Sequence, residues 1–313
     1  MTKQMRLIRL ITLSALAAVG GCSADRDPAT LFAPDSGVLV IDAAMIVGHD
    51  YPTVFLTETV AANAVFDIRS AAVSGATIEI SGGGITMAYD GPLGFRGVYI
   101  PRNPDRKVLE STTYRIEVTT VDGRFLTATT RTPKKFAVDR WVLLDDAGRN
   151  VTRELKTFLD PGDPYDQPEN QLTYTEGLLE AWYRETAQPG YQIALFSLDA
   201  GSPLLIDPDF LDEDDLADIE RTISSPPLSD QAGTIRMPWF AIAYEGRYKI
   251  KIYTLDRNWY DFARSDPTLS GGFGFGGNVG DNFERPIFHV EGGIGLFGAA
   301  AVDSIGVYFH PRP

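Results

Sequence analysis

The residue best equipped for covalent chemistry is Cys22, the single cysteine of the 313-residue chain. It closes Val19-Gly20-Gly21-Cys22, in which small residues sit immediately before the thiol. A lipoprotein signal peptidase requires that arrangement, because the sulfur is acylated first and the chain is then cut in front of it. Upstream, Lys3, Arg6 and Arg9 form a cationic stretch and Leu10 to Val19 an apolar run. That run is short for a membrane span, which takes about 20 residues. The pattern predicts a signal peptide over 1–21 and lipidation of Cys22. An ordinary secretory signal with an incidental cysteine is the alternative, and it would more commonly end in A-x-A. A lone thiol cannot staple an exported fold, and acylation gives it a use. Two acyl chains anchor stably where one does not, which makes the membrane the first expected partner.

Elsewhere the residues that do chemistry are sparse. His49 falls in a turn, His289 in a predicted strand and His310 at the carboxyl end. No G-x-S-x-G, H-E-x-x-H or C-x-x-C occurs, so neither a nucleophile elbow nor a zinc site is predicted. Triads assemble from distant positions, which keeps an unrecognised hydrolase among the readings. Gly272-Phe273-Gly274-Phe275-Gly276-Gly277 matches G-x-G-x-x-G formally. That motif binds dinucleotides only between a strand and a helix, and no helix is predicted to follow. Phe273 and Phe275 are therefore either hairpin core or exposed contact residues on a glycine-rich loop over about 265–283. With Trp259 and Tyr260 they make the candidate contact element. Asp160, Asp163 and Asp166 share one loop and Asp207–Asp218 is denser in acids, but neither has the spacing of a calcium loop. Of Trp141, Trp182, Trp239 and Trp259, only Trp259 is read as an exposed candidate; the others read as partly buried core. No cofactor and no metal is predicted.

The elements that must position these residues are mostly strands. Residues 22–36 are small, polar and proline-containing, a flexible spacer between lipid and fold. Val38–Ile41 and Thr53–Thr57 are apolar strand runs. Ile78 and Ile80 alternate with polar residues, as do Tyr114, Ile116 and Val118, the period-two signature of a strand with one wet face. Asp122-Gly123 predicts a two-residue hairpin turn into Phe125–Thr129. Short strands about ten residues apart predict an immunoglobulin- or transthyretin-like antiparallel sandwich over 37–133 that folds by itself. Over 134–313 the strands are less regular: Trp141–Leu144, Leu172–Tyr183, Tyr191–Leu198, Ile235–Tyr244, Tyr248–Leu255, Ile287–Val290 and Ile305–Phe309. They predict a second β-rich sandwich or open barrel, for an all-β chain overall. Two short helices are expected, over 212–223 and around Arg257–Arg264.

Charge limits the partners. The chain carries a net −14, and loss of Lys3, Arg6 and Arg9 with the signal takes it to −17. Nucleic acid, which is bound by a basic stripe, is excluded as an expectation. Ser23 lacks the aspartate that signals inner-membrane retention, so the outer membrane is the expected address.

The lipobox, LVIDAAMIVGHDYPTVFLTETV, VSGATIEISGG, TYRIEVTTVDGRFLTATTRTP and the terminal GGIGLFGAAAVDSIGV resemble the Bacteroidota lipoproteins grouped as domain of unknown function 4249. The resemblance covers the mature chain and rests most on Gly292–Ala299. It implies an outer-membrane lipoprotein, facing periplasm or surface, in many cases associated with a TonB-dependent transporter, and it implies no catalytic residue. The leading expectation is a non-enzymatic accessory lipoprotein docked on such a transporter or another envelope partner. A glycan- or ligand-binding surface lipoprotein is the first alternative and a hydrolase the second. A cleft with two perturbed carboxylates would favour the hydrolase. Aromatics of 259–275 on one concave face would favour ligand binding.

Overall fold

The computed structural model describes residues 37–61, 64–91, 97–206, 219–229, 233–265 and 286–313. Cys22, Phe273 and Phe275 and the acidic run 207–218 lie outside them. The described chain is all-β, as the alternation predicts. Strand β1 (Leu39–Ile46) pairs antiparallel with β2 (Val54–Glu58), and β2 continues to β5 (Val98–Pro101) and β4 (Ile85–Asp90). From there β3 (Thr77–Gly82), β6 (Thr113–Thr119) and β7 (Phe125–Arg131) complete an antiparallel run. Alternate residues of β6 are buried and exposed in turn, so Tyr114, Ile116 and Val118 enter the core while Arg115 and Glu117 face water. The turn between β6 and β7 is not the two-residue one. Thr120 pairs with Arg124 across a three-residue loop, Val121-Asp122-Gly123, with Gly123 at φ +86°. Glycine takes that left-handed position without Cβ strain, which favours a type I turn plus bulge.

The last long strand does most to organise the molecule. Short β16 (Val290–Glu291) pairs with β7, and after Gly292 the 18-residue β17 (Gly293–His310) pairs in parallel with β1 from Leu39↔Gly293 to Ile46↔Ala300. The strand path therefore returns to its start, and residues 290–300 join the two edges that 37–133 would otherwise leave open. Phe297 and Ala299 enter the same core as Ile41, Leu56, Ile80 and Ile116. Full burial of a phenylalanine contributes about 2–3 kcal/mol. The 37–133 unit expected from sequence thus takes an edge and part of its core from the carboxyl end.

The second half of β17 pairs with β15 (Gly246–Leu255), which leads to β12 (Gly190–Ser197) and β13 (Thr222–Ser224); β10 (Gln171–Thr173) lies on the other side of β17. A second sheet, β14 (Thr234–Arg236), β11 (Leu178–Tyr183), β8 (Val138–Leu144) and β9 (Val151–Glu154), packs over it around Trp141, Tyr183, Ile250 and Phe309. Four expectations change. Ile287–Val290 is a strand only at its last residue, where β16 begins; residues 287–289 lie against the helix end at Asp261 and Ser265 instead. Leu172–Tyr183 is two strands, because Thr175 and Gly177 adopt positive φ between them. Ile235–Tyr244 is a strand only at its start, and Trp239–Ala241 form a 3-10 turn after Pro238. Thr222 and Ile223, expected at the end of a helix, belong to β13, where backbone pairing with Leu195 and Phe196 overrides the helical spacing. The expected helix at Arg257–Arg264 is present as α2 (Arg257–Ser265), and a four-residue α1 (Ile68–Ala71) precedes β3.

Candidate binding cleft

The two cores meet at an open cleft of about 1030 Å³. One wall is the end of β7 and the link that follows it, another is the 184–189 loop, and the floor is the end of β15 with the first turn of α2. These walls come from distant sequence, and three side chains bind them together. Asp256 precedes α2, and its Oδ1 accepts from Trp259 N (3.0 Å) and from Ala299 N in β17 (2.9 Å). Its Oδ2 accepts from the Thr130 hydroxyl of β7 at 2.5 Å. Asn258 Nδ2 donates to Thr129 O and Phe297 O. Asp303 of β17 accepts from Val138 N, at the start of β8.

Asp256 is 4% exposed, and burial raises its carboxyl above the ordinary 3.8 against the pull of its hydrogen bonds. Asp261, one helical turn on, shows the opposite balance. Its Oδ1 is 2.9 Å from Arg264 Nε, and its Oδ2 is 2.8 Å from Arg257 Nε and 2.9 Å from His289 Nε2. Burial pushes the Asp261 carboxyl up, but these bonds outweigh it and hold the carboxyl below its ordinary value. Sequence reading gave His289 a strand and no partner. It lies just before β16 and reaches Asp261 because residues 287–289 run beside α2, with Ile287 N donating to Ser265 Oγ and the Phe288 ring 6.1 Å from that of Phe262. Asp261 does not line the cleft, so of this pair only Asp256 does.

Cations gather at the cleft of an otherwise acidic chain. Arg131, Lys134, Lys135, Arg184 and Arg257 line it, against Asp139, Glu185 and Asp256. Arg257 is paired with Asp261, and Arg184 is 3.8 Å from Asp139. The side chains of Arg131, Lys134 and Lys135 are exposed and have no ion-pair partner among the described residues. Ser111, Thr113, Thr129 and Thr186 also line it. Thr254, also in the lining, is fully buried, and its Oγ1 has no hydrogen-bond partner among the described residues.

The other candidate residues lie as follows. Trp259 is half-buried on α2, its ring 5.8 Å from that of Tyr253. A β-carbon at Gly298 would stand 2.9 Å from Trp259 Cβ, so this face of α2 packs on β17. Tyr260 lies over Gly190, where an added β-carbon would be 2.8 Å from its ring. Both rings thus brace α2 rather than form an open platform. In the acidic loop, Asp160 accepts from Thr157 N and Oγ1, and Asp163 from Tyr165 N, so both cap their own backbone. His310 bonds Gln171, and His49 is an exposed turn residue. Among the described residues no group of three or more His, Cys, Asp or Glu is placed to hold a metal ion, and no helix is long and apolar enough to cross a membrane.

Among curated proteins nothing matches the chain. A family model does match it, over residues 27–305, which takes in β7, β15 and α2 around the cleft and β17 as far as Ile305; the chain belongs to the family described as Domain of unknown function (DUF4249).

Proposed function

We propose that the protein is a non-enzymatic outer-membrane lipoprotein, anchored through Cys22, that binds an anionic, hydroxyl-rich ligand such as an acidic glycan in the cleft and acts as accessory to an envelope partner, a TonB-dependent transporter being the one its family resemblance implies. The observation that carries the reading is the presence of Arg131, Lys134 and Lys135, without ion-pair partners among the described residues, in a threonine-rich lining of a chain of net −14. Cations left unpaired in an acidic protein are poised for anions, and hydroxyls exchange hydrogen bonds with sugars as both donor and acceptor. The bonds to Asp256 favour binding over acid–base catalysis, since each of its oxygens already holds protein groups in place.

Titration of the protein with oligogalacturonate and with a neutral oligosaccharide of equal length tests this. Binding should favour the acidic ligand and weaken with salt, and Lys134→Gln with Lys135→Gln should weaken it about tenfold. Equal affinity for the two ligands, or no effect of the substitutions, refutes it. Anchorage is tested separately: Cys22→Ser should fail to incorporate labelled acyl chains and keep its signal peptide, and labelling of that variant overturns the assignment. Affinity capture from detergent-solubilised native membranes should bring down a transporter in stoichiometric amount.

A further inference from the structure

Exposed apolar side chains gather at the end of the fold where the spacer enters. Gly37 N donates to Thr59 O at 2.8 Å, and Arg124 Nη1, beside the tip of the β6–β7 hairpin, donates to Gly37 O at 2.7 Å. The pairings Leu39↔Glu58 and Thr77↔Thr119 bring residues 59–61 and 64–68 and the hairpin to the same end. Gly75 lies beneath the hairpin, where an added β-carbon would be 2.9 Å from Val121 Cγ2. Val65, Phe66 and Ile68 on one side are 93%, 62% and 59% exposed, and Val121 and Phe125 on the other are 80% and 49% exposed. Several charges between them are already paired: Arg124 with Glu58 and Asp122, while Asp67 accepts from Arg69 N at the start of α1.

We propose that this end is a second membrane contact, with Val65, Phe66, Ile68, Val121 and Phe125 entering the boundary between headgroups and acyl chains. The proposal rests on the reading that Cys22 is acylated. The argument for lipid as the occupant is where the tether ends. Residues 22 to 37 reach at most about 50 Å when fully extended, and they join the fold at Gly37, which is bonded to Thr59 and to Arg124 beside the hairpin tip. An anchored molecule therefore holds this end closest to the bilayer, and exposed aliphatic and aromatic side chains with self-paired charges suit that interface. The cleft lies at the opposite end of β6 and β7, where Thr113 pairs with Arg131, about 20 Å along the strands. Seating the hairpin tip on the membrane turns the cleft outward, and the lipid tether becomes an oriented support.

The test uses the full acylated lipoprotein in vesicles of phosphatidylethanolamine and phosphatidylglycerol, with or without bromine on the acyl chains. Val65→Trp and Val121→Trp place reporters at the apolar end, and Leu159→Trp, at a 97% exposed position, serves as the distant control. Relative to the parent protein, the added emission at 65 and 121 should fall by about half in brominated vesicles, while that at 159 stays unchanged. If the protein floats with vesicles but 65 and 121 are not quenched, the anchor stands and this contact is wrong; the patch then serves a protein surface or none. Equal quenching at all three positions also overturns it. If the parent protein does not float at all, the anchor reading fails and this proposal falls with it.

Discussion

The Thr130 hydroxyl meets Asp256 Oδ2 at 2.5 Å, joining residues 126 positions apart across the seam between the two cores. Both are buried, Thr130 at 2% exposure and Asp256 at 4%. Asp256 also caps α2 and holds Ala299 N, so one side chain ties β7, α2 and β17 beneath the cleft.

The consequences of deleting each partner should differ. Asp256→Ala strands two backbone donors and the Thr130 hydroxyl, a loss of about 3 kcal/mol or more. Thr130→Val removes one bond and leaves the cap intact, for about 1 kcal/mol. Chemical denaturation monitored by tryptophan emission measures both, and equal losses would show that the cap and the Ala299 bond contribute nothing.

A second expectation concerns acid. The Asp261 carboxyl is held below 3.8 by bonds from Arg264, His289 and Arg257 that outweigh burial. The folded protein therefore gives up this proton more readily than the unfolded chain. The stabilisation is complete above 3.8 and is lost as pH falls through the lower folded value. Asp261→Asn should be less stable at pH 7 and should decline less steeply than the parent below 3.8. Asp256 acts on the other side: its raised carboxyl makes stability fall as pH rises above 3.8 toward the folded value. Stability curves of the two single variants that run parallel to the parent from pH 2 to 7 would contradict both assignments.

Thr254 gives a third. Its buried hydroxyl has no partner among the described residues, and a buried donor left unsatisfied costs about 1–3 kcal/mol. Thr254→Val keeps the shape and removes the hydroxyl, so the free protein should gain about 1 kcal/mol in stability. If the hydroxyl serves the ligand, affinity for oligogalacturonate should fall in the same variant. A destabilised variant with unchanged affinity would remove Thr254 from the cleft's machinery.

Strands with one wet face were legible in the sequence because burial imposes period two on them, as in Tyr114, Ile116 and Val118. The α2 segment was legible as well. Residues 292–299 were not, because four glycines in eight positions read locally as a loop. Those glycines answer to a tertiary demand that no local pattern records: a β-carbon would meet Phe125 of β7 at Gly292, Leu39 and Ile41 of β1 at Gly293 and Gly295, and Trp259 of α2 at Gly298. The cleft stayed hidden for a related reason. Thr130 and Asp256 have ordinary neighbours in sequence and acquire each other as partners only when β7 and the start of α2 converge.

That close approach makes the last prediction. Gly295 pairs with Ile41 at φ +109°, and a β-carbon there would lie 2.1 Å from Ile41 O and 2.9 Å from Ile41 N. Both obstacles are backbone, so neither can rotate away, and Gly295→Ala must push β17 off β1 or break their register. A loss of about 3 kcal/mol or more follows. Gly298→Ala meets the Leu296 side chain and Trp259 Cβ, each at 2.9 Å, and can be accommodated in part by movement of α2. Gly123→Ala has nothing within 4 Å and carries only the strain of φ +86°, about 1 kcal/mol. The order of destabilisation should therefore be Gly295, Gly298, Gly123. Because residues 290–300 close the first core, a segment spanning 37–133 alone should lack a cooperative melt and gain one when 286–300 is attached through a flexible linker. Equal stability of the three glycine variants, or a sharp melt of 37–133 by itself, would mean that β17 is not what closes this end of the molecule.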